Sequence, residues 1–316
     1  MDADQLLAAA SRDWRIAWTL RAVALAETIF LLWLGWQMRQ SGWGWPAALS
    51  AIVLAWLGFR LFVPLGSFAF KWALGDWPAT ERGSLMQMLR AILLESWWMA
   101  RLYYVDQAWF GVSPRAGTDT ARPPLILVHG FACNAAVWRP LLAGADWSGR
   151  SVIALSLEPT YRNFEAQLQA LDEAVLGVLE KAGAARVSLI GHSMGGLLIR
   201  AYAEQHPQRV AALVCVAAPH HGTWFGKLLF AAENGPPAPE CNWLQALNRR
   251  TEEKLAPPAL NLWTAEDNIV IPARGSRLAQ TPETKLDGLG HMAMIASAAG
   301  IQAISTALKT LESEHS

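Results

Sequence analysis

"VSLIGHSMGGL", residues 187–197, decides the fold of most of this chain. Val187 to Ile190 form a short apolar run with the character of a buried strand. Met194 to Gln205 then read as an amphipathic helix. Between them, Gly191-His192-Ser193-Met194-Gly195 has Gly-x-Ser-x-Gly spacing. At a strand-to-helix junction this spacing predicts a sharp turn that strains the serine backbone. Such a turn pushes the hydroxyl out at the carboxyl edge of the sheet. Gly191, Gly195 and Gly196 are the small neighbours needed where strand and helix cross. Ser193 is therefore the candidate nucleophile.

The same pattern recurs on both sides. "LILVHG" (125–130), "SVIAL" (151–155), "AALVCVAA" (211–218) and "LNLWTA" (260–265) are short, apolar and bounded by turn residues. Phe164 to Ala182 and Met194 to Gln205 supply helices between them. Alternating strands and helices predict an α/β architecture, a mostly parallel sheet covered on both faces.

A serine nucleophile needs a base and an orienting acid. Of seven histidines, His291 stands in a glycine-rich loop, "GLGHMAM", before a final helix, where it can lean over the sheet edge. His192 adjoins the serine and cannot easily reach its oxygen. His129 more naturally shapes a loop. Asp267, in "LWTAEDNIVIP", follows the last clear strand and is favoured as the acid over its neighbours Glu266 and Asp287. The chain order Ser193, Asp267, His291 is that of an α/β-hydrolase triad. Backbone N–H groups of Phe131 and Met194 are the expected oxyanion donors.

From about Pro124 onward the chain resembles α/β-hydrolases, and among them bacterial triacylglycerol lipases and esterases. The segments that carry the likeness are "LVHGFACNAAVW", "LIGHSMGGLLIRAYAEQHPQRV", "VAAPHHGTWFGKLL", "CNWLQALN", "LWTAEDNIVIP" and "GLGHMAMI". The Pro-His-x-Gly-Thr stretch is the least generic of these. The resemblance implies an α/β-hydrolase fold with Ser193, Asp267 and His291 as triad. It also implies a lid or cap over residues 224–258, with Trp224, Phe225, Leu228 and Leu229 near the substrate. Secreted lipases of this type begin with a cleaved signal, whereas this chain begins differently.

Its front is tryptophan-rich: 12 of 17 tryptophans precede residue 116. "AVALAETIFLLWLGW" (22–36), extended to residues 17–38, has the length of a bilayer span. A second span is expected over 43–63, after the tight turn "RQSGWG". Trp14, Trp18, Trp33, Trp36, Trp43, Trp45, Trp72 and Trp77 fall where interfacial aromatics are expected. Glu27 lies within the first span, where an unpaired carboxylate costs about 3 kcal/mol. It is expected to be protonated or to face the partner helix, and Arg60 to snorkel. The acidic start "MDADQ" and the second span do not fit a cleaved signal peptide.

Arg12, Arg15, Lys71, Arg82 and Arg90 flank one side against Arg39 in the turn, which predicts a cytoplasmic catalytic region at a bacterial inner membrane. A helix is expected over about 84–110, either interfacial or packed on the catalytic domain. Residues 1–115 thus read as an anchor region and 116–316 as the hydrolase domain, joined by the linker "SPRAGTDTARPP".

Lysine plus arginine equals aspartate plus glutamate, 26 each, which excludes a polyanion such as nucleic acid as the main partner. Cys133, Cys215 and Cys241 match no zinc spacing and read as reduced thiols. No metal or cofactor is expected. The expected function is membrane-anchored serine ester hydrolysis of lipid-like acyl esters. Acyl transfer or thioester cleavage on the same triad, and a non-catalytic membrane scaffold, are the alternatives.

Overall fold

The computed structural model describes residues 14–75, 84–147, 149–157, 164–230, 238–239, 241–251 and 257–314. Leading the chain are three helices: α1 (Arg15–Gln40), α2 (Trp45–Ala73) and α3 (Leu85–Arg101). A π-helical turn, Leu102–Asp106, and a last α turn, Gln107–Trp109, prolong α3. Ser84 starts α3 with a reciprocal capping box to Gln87, which satisfies two end groups of the helix. Trp77 and the basic residues Arg12 and Arg82, assigned to the membrane interface from sequence, lie outside the described residues.

α1 and α2 form an antiparallel hairpin around Gly42, whose φ of 83° makes the tight turn. Both helices are long and apolar enough to cross a bilayer by length and composition. In the most apolar window of each, only 11% is buried. Leu32, Leu54 and Phe62 are 69%, 68% and 77% exposed. The seam is close: a Cβ on Gly35 would sit 2.7 Å from Ile52 Cδ1. Glu27 faces the partner helix, as one sequence reading required, and its carboxylate pairs with the Arg60 guanidinium. Arg60 therefore does not snorkel. It lies 3.6 Å from the Tyr104 ring centroid, where a ring face attracts a cation.

Beyond the linker come β1 (Leu125–Val128), α4 (Arg139–Gly144), β2 (Val152–Leu155), α5 (Phe164–Ala182), β3 (Val187–His192) and α6 (Met194–Gln205). They are followed by β4 (Val210–Val216), α7 (Trp224–Phe230), α8 (Asn242–Thr251), β5 (Ala259–Trp263), β6 (Glu283–Lys285), α9 (Ala293–Ala296) and α10 (Ala298–Ser313). The strands pair in the order β2-β1-β3-β4-β5-β6, all parallel. Strands β1 to β4 are buried throughout, which is why they read as continuous apolar runs. β6 has three exposed polar residues, so no hydrophobic pattern marks it in the sequence.

On one face of the sheet, Leu168, Leu171 and Val175 of α5 and Leu197 and Leu198 of α6 pack on Ile126, Leu189 and Leu213. On the other, Ile304 and Leu308 of α10 meet Leu127, Ile190 and Val214. Leu102, just beyond α3, is fully buried in this second core, with Leu94, Trp98 and Met99 packed against it. Of the two sequence alternatives for this helix, packing on the hydrolase region is the one observed.

Glu95 fixes that packing. It is completely buried and its carboxylate accepts the N–H groups of Met292 and Ala293, each at 3.0 Å. Those are orphan donors at the start of α9. Burial pushes the Glu95 carboxyl up to about 7, against the opposing effect of these two hydrogen bonds.

Two expectations follow. A Cβ on Gly191 would lie 2.5 Å from Gly195 O, in the tight strand–helix crossing. Gly191→Ala is expected to lower stability by about 1–3 kcal/mol, read by chemical unfolding; an unchanged midpoint would contradict the close crossing. For Glu95, the raised carboxyl means that the folded chain binds the proton more tightly than the unfolded one. Its contribution is fully present below about pH 4.5 and is lost as pH rises through about 7. Between those values, wild type is expected to lose roughly 3 kcal/mol of stability relative to Glu95→Gln. A pH-independent difference would exclude a buried titrating carboxyl.

Candidate active site

Ser193 joins β3 to α6 with φ 55° and ψ −126°, a conformation that an L-residue rarely adopts. Its N–H donates to Val216 O at 2.9 Å, which holds the turn against β4. A Cβ on Gly130 would lie 2.8 Å from Ser193 Cβ, so the loop after β1 packs directly on the serine. Phe131 follows in that loop, and Met194 opens α6 directly after the serine.

Asp267 lies in the loop after β5, and His291 in the loop after β6. Asp267 is fully buried; its Oδ1 accepts the N–H groups of Ile269 and Val270 at 2.8 and 2.7 Å. His291 Nδ1 stands 2.9 Å from Asp267 Oδ2 and 3.1 Å from Oδ1. An acceptor-only carboxylate there calls for a proton on Nδ1 and leaves Nε2 as the basic nitrogen. Burial opposes a charge on His291, yet the Asp267 carboxylate and its hydrogen bonds prevail and raise the imidazole above its ordinary value.

The His291 backbone is clamped from both sides. Its N–H donates to Asn268 Oδ1 at 3.0 Å, and Asn268 Nδ2 donates to Ser67 Oγ of α2 at 2.7 Å. Its carbonyl accepts from His192 Nε2 at 3.1 Å, with the two imidazole centroids 4.5 Å apart. Glu95 then takes the next two N–H groups. Burial, reinforced by the nearby His291, holds His192 well below its ordinary pKa, so it is a neutral donor. His129 is likewise neutral: burial lowers it to about 4. Its Nε2 accepts the Leu157 N–H at 3.0 Å and its Nδ1 contacts Gly130 O at 2.9 Å, which fits the loop-shaping reading. Glu266 accepts from Thr264 and Gly288, and Asp287 pairs with Lys285.

Ser193, His291, His192, Gly130 and Phe131 line one cavity of about 360 Å³, which also receives Phe225 and Ile269. Ala132, Cys133 and Met292 also border it, and the front of the chain supplies the remaining wall: Leu20 and Val23 of α1, Phe59, Arg60, Val63 and Pro64 of α2, and Met99, Ala100, Tyr103 and Tyr104 after them. Of the expected lid residues, Phe225 alone among the described ones lines the cavity, its ring centroid 5.2 Å from Phe70 of α2. Trp224 and Leu228 are exposed, at 41% and 70%. The side chain of Leu229, and residues 231–237, 240 and 252–256 of the insertion, lie outside the described residues.

Sequence reasoning thus missed Glu95, Asn268 and the cavity wall supplied by the hairpin. A usable signal existed for all three front helices: Glu27, Arg60 and Glu95 are charges set within apolar helices, and each turns out to be paired or bonded inward.

The model for the alpha/beta hydrolase fold matches residues 123–234. Over 117 residues the chain is 38% identical to a dihydrolipoyllysine-residue acetyltransferase component of an acetoin cleaving system from Pseudomonas putida, covering 35% of this chain and 29% of that protein. Over 112 residues it is 34% identical to a triacylglycerol lipase from Pseudarthrobacter phenanthrenivorans, covering 33% and 35%. The aligned part is therefore about a third of each relative. Aspergillus fumigatus lipase B superposes with a TM-score of 0.52 at 17% identity, over 61% of this chain and 54% of that one. By its parallel sheet, by the serine turn after β3 and by these matches, the chain has the α/β-hydrolase fold.

Proposed function

We propose that this protein is a membrane-anchored serine ester hydrolase for lipid-like acyl esters. The observation that carries the reading is the shared cavity: a strained serine and an Asp267-paired histidine border one apolar space. In this reading Ser193 Oγ attacks the ester carbonyl as His291 Nε2 takes its proton. Asp267 keeps the proton on Nδ1 and stabilises the imidazolium. The oxyanion is met by the N–H groups of Met194 and Phe131. His291 returns the proton to the leaving alcohol, and water then cleaves the acyl-serine by the same route in reverse.

The bare apolar surface of α1 and α2 supports anchoring in a bilayer. The basic residues at the open end of the hairpin, among them Arg15, Lys71 and Arg90, favour a cytoplasmic hydrolase region at a bacterial inner membrane.

Ser193→Ala is expected to abolish p-nitrophenyl ester hydrolysis and fluorophosphonate labelling while the fold persists by circular dichroism. Asp267→Asn is expected to lower kcat by about 10³–10⁴-fold. Full turnover in the serine variant would remove the mechanism. Topology is tested separately by reporter fusions after residue 115. A cytoplasmic reporter should be active and a periplasmic one silent; the reverse result would place the domain on the other side and leave the chemistry intact.

A further inference from the structure

We infer that the hairpin is the acyl-binding wall of the active site, and that the substrate is an ester whose fatty acyl chain enters the cavity from the bilayer. The inference rests on the reading of Ser193 as nucleophile and of α1 and α2 as the membrane anchor.

The first ground is where the wall comes from. Leu20 and Val23 of α1 and Phe59 and Val63 of α2 border the same space as Ser193 and His291. The cap after β4 contributes Phe225, and Phe225 itself rests on Phe70 of α2. An acyl chain bonded through its carbonyl to Ser193 thus meets hairpin side chains. Arg60 is the charge in this wall, and it is paired with Glu27 and laid over Tyr104. The wall therefore offers a neutral, apolar surface, which suits a hydrocarbon chain and disfavours an anionic one.

The second ground is depth. Contacts that tie the hairpin to the hydrolase region gather at its base: Arg21 with Ala108 O, Arg60 with Tyr104, Ser67 with Asn268, and Phe70 with Phe225. Beyond the Glu27–Arg60 pair, the arms left to enter the membrane are residues 28–40 and 45–59. At about 1.5 Å per residue they reach about 20 and 22 Å. A bilayer's hydrocarbon layer is about 30 Å thick. For the hairpin to span that layer, the Glu27–Arg60 level must lie about 8–10 Å inside the near boundary. Val23 and Val63 lie one helical turn from that level, on the cavity side. The mouth of the cavity is then within about 6 Å of the boundary.

An acyl chain already lying between lipid tails slides along α1 and α2 into the cavity without exposing its methylenes to water. A chain arriving from solution would first have to be drawn out of its own aggregate, methylene by methylene. The geometry favours the first source.

The test uses the full-length protein in phosphatidylcholine vesicles and p-nitrophenyl esters with acyl chains of different lengths, from butyryl to palmitoyl. Val63→Trp and Leu20→Trp fill the wall, and Leu32→Trp alters the exposed outer face as a control. In the two wall variants kcat/KM for palmitoyl ester should fall at least tenfold while butyryl ester stays within about twofold, and Leu32→Trp should change neither. Equal losses at every chain length, or none, in both wall variants would overturn the acyl wall.

Entry from the bilayer is read by diluting palmitoyl ester with vesicles at fixed bulk concentration. The rate should follow its mole fraction in the membrane; a rate that ignores this fraction overturns the route. Fluorophosphonate labelling of wild-type Ser193 separates the two ideas. Without labelling, the nucleophile reading fails; with labelling and no change in chain-length profile, only the hairpin's role fails.

Discussion

At Ser193 the backbone turns through φ 55° and ψ −126°, and the position of every other group in the site follows from that turn. A non-glycine residue held there costs on the order of 1–3 kcal/mol and persists only where its surroundings leave no alternative. β3 provides such surroundings. It lies inside the sheet, between β1 and β4, and its end is bonded to Val216. Gly130 closes over it from the β1 side. Because the strands are parallel, the loops after β1, β5 and β6 all open at the edge where β3 ends. Gly130, Asp267 and His291 arrive at one edge for that reason.

The front of the chain completes the arrangement. Glu95 of α3 satisfies two N–H groups directly after His291, from a position 197 residues earlier. Ser67 of α2 bonds the Asn268 that holds the His291 N–H. The loop bearing His291 is thus braced by two helices that lie outside the matched part of the family model. Its electrostatics are equally shared. Asp267 and Glu95 both favour the charged form of His291, while burial keeps His192 and His129 neutral beside it.

Strands β1 to β5 could be read from the sequence because each is a short apolar run closed by turn residues, and α5 and α6 from their periodicity. The serine, aspartate and histidine were legible because the serine spacing fell at a strand end and the other two in loops after the later strands. β6 was not, because three exposed polar residues carry no hydrophobic signal. The cavity was misplaced for a different reason. Apolar side chains at residues 20, 23, 59 and 63 have the same composition whether they face lipid or a binding site, so composition assigned them all to the membrane. Glu95 gave no sign of its role, since nothing local distinguishes a solvated carboxylate from one aimed at N–H groups far along the chain.

That last point bears on why a carboxylate stands at position 95 at all. The first N–H groups of α9 lack intrahelical partners, and here the space above them is filled by α3. An apolar residue at this point would leave them buried and unbonded, at about 1–3 kcal/mol each. The packing there is close: a Cβ on Gly290 would lie 2.7 Å from Glu95 Oε2. A side chain that accepts two hydrogen bonds is the solution open to this packing, and its cost is the desolvation that drives its carboxyl toward neutrality. The same carboxylate joins the segment bearing His291 to the helix that follows the hairpin. Docking of the front helices and the geometry of the histidine are consequently coupled, and the wall of the apolar cavity is complete only when both are in place.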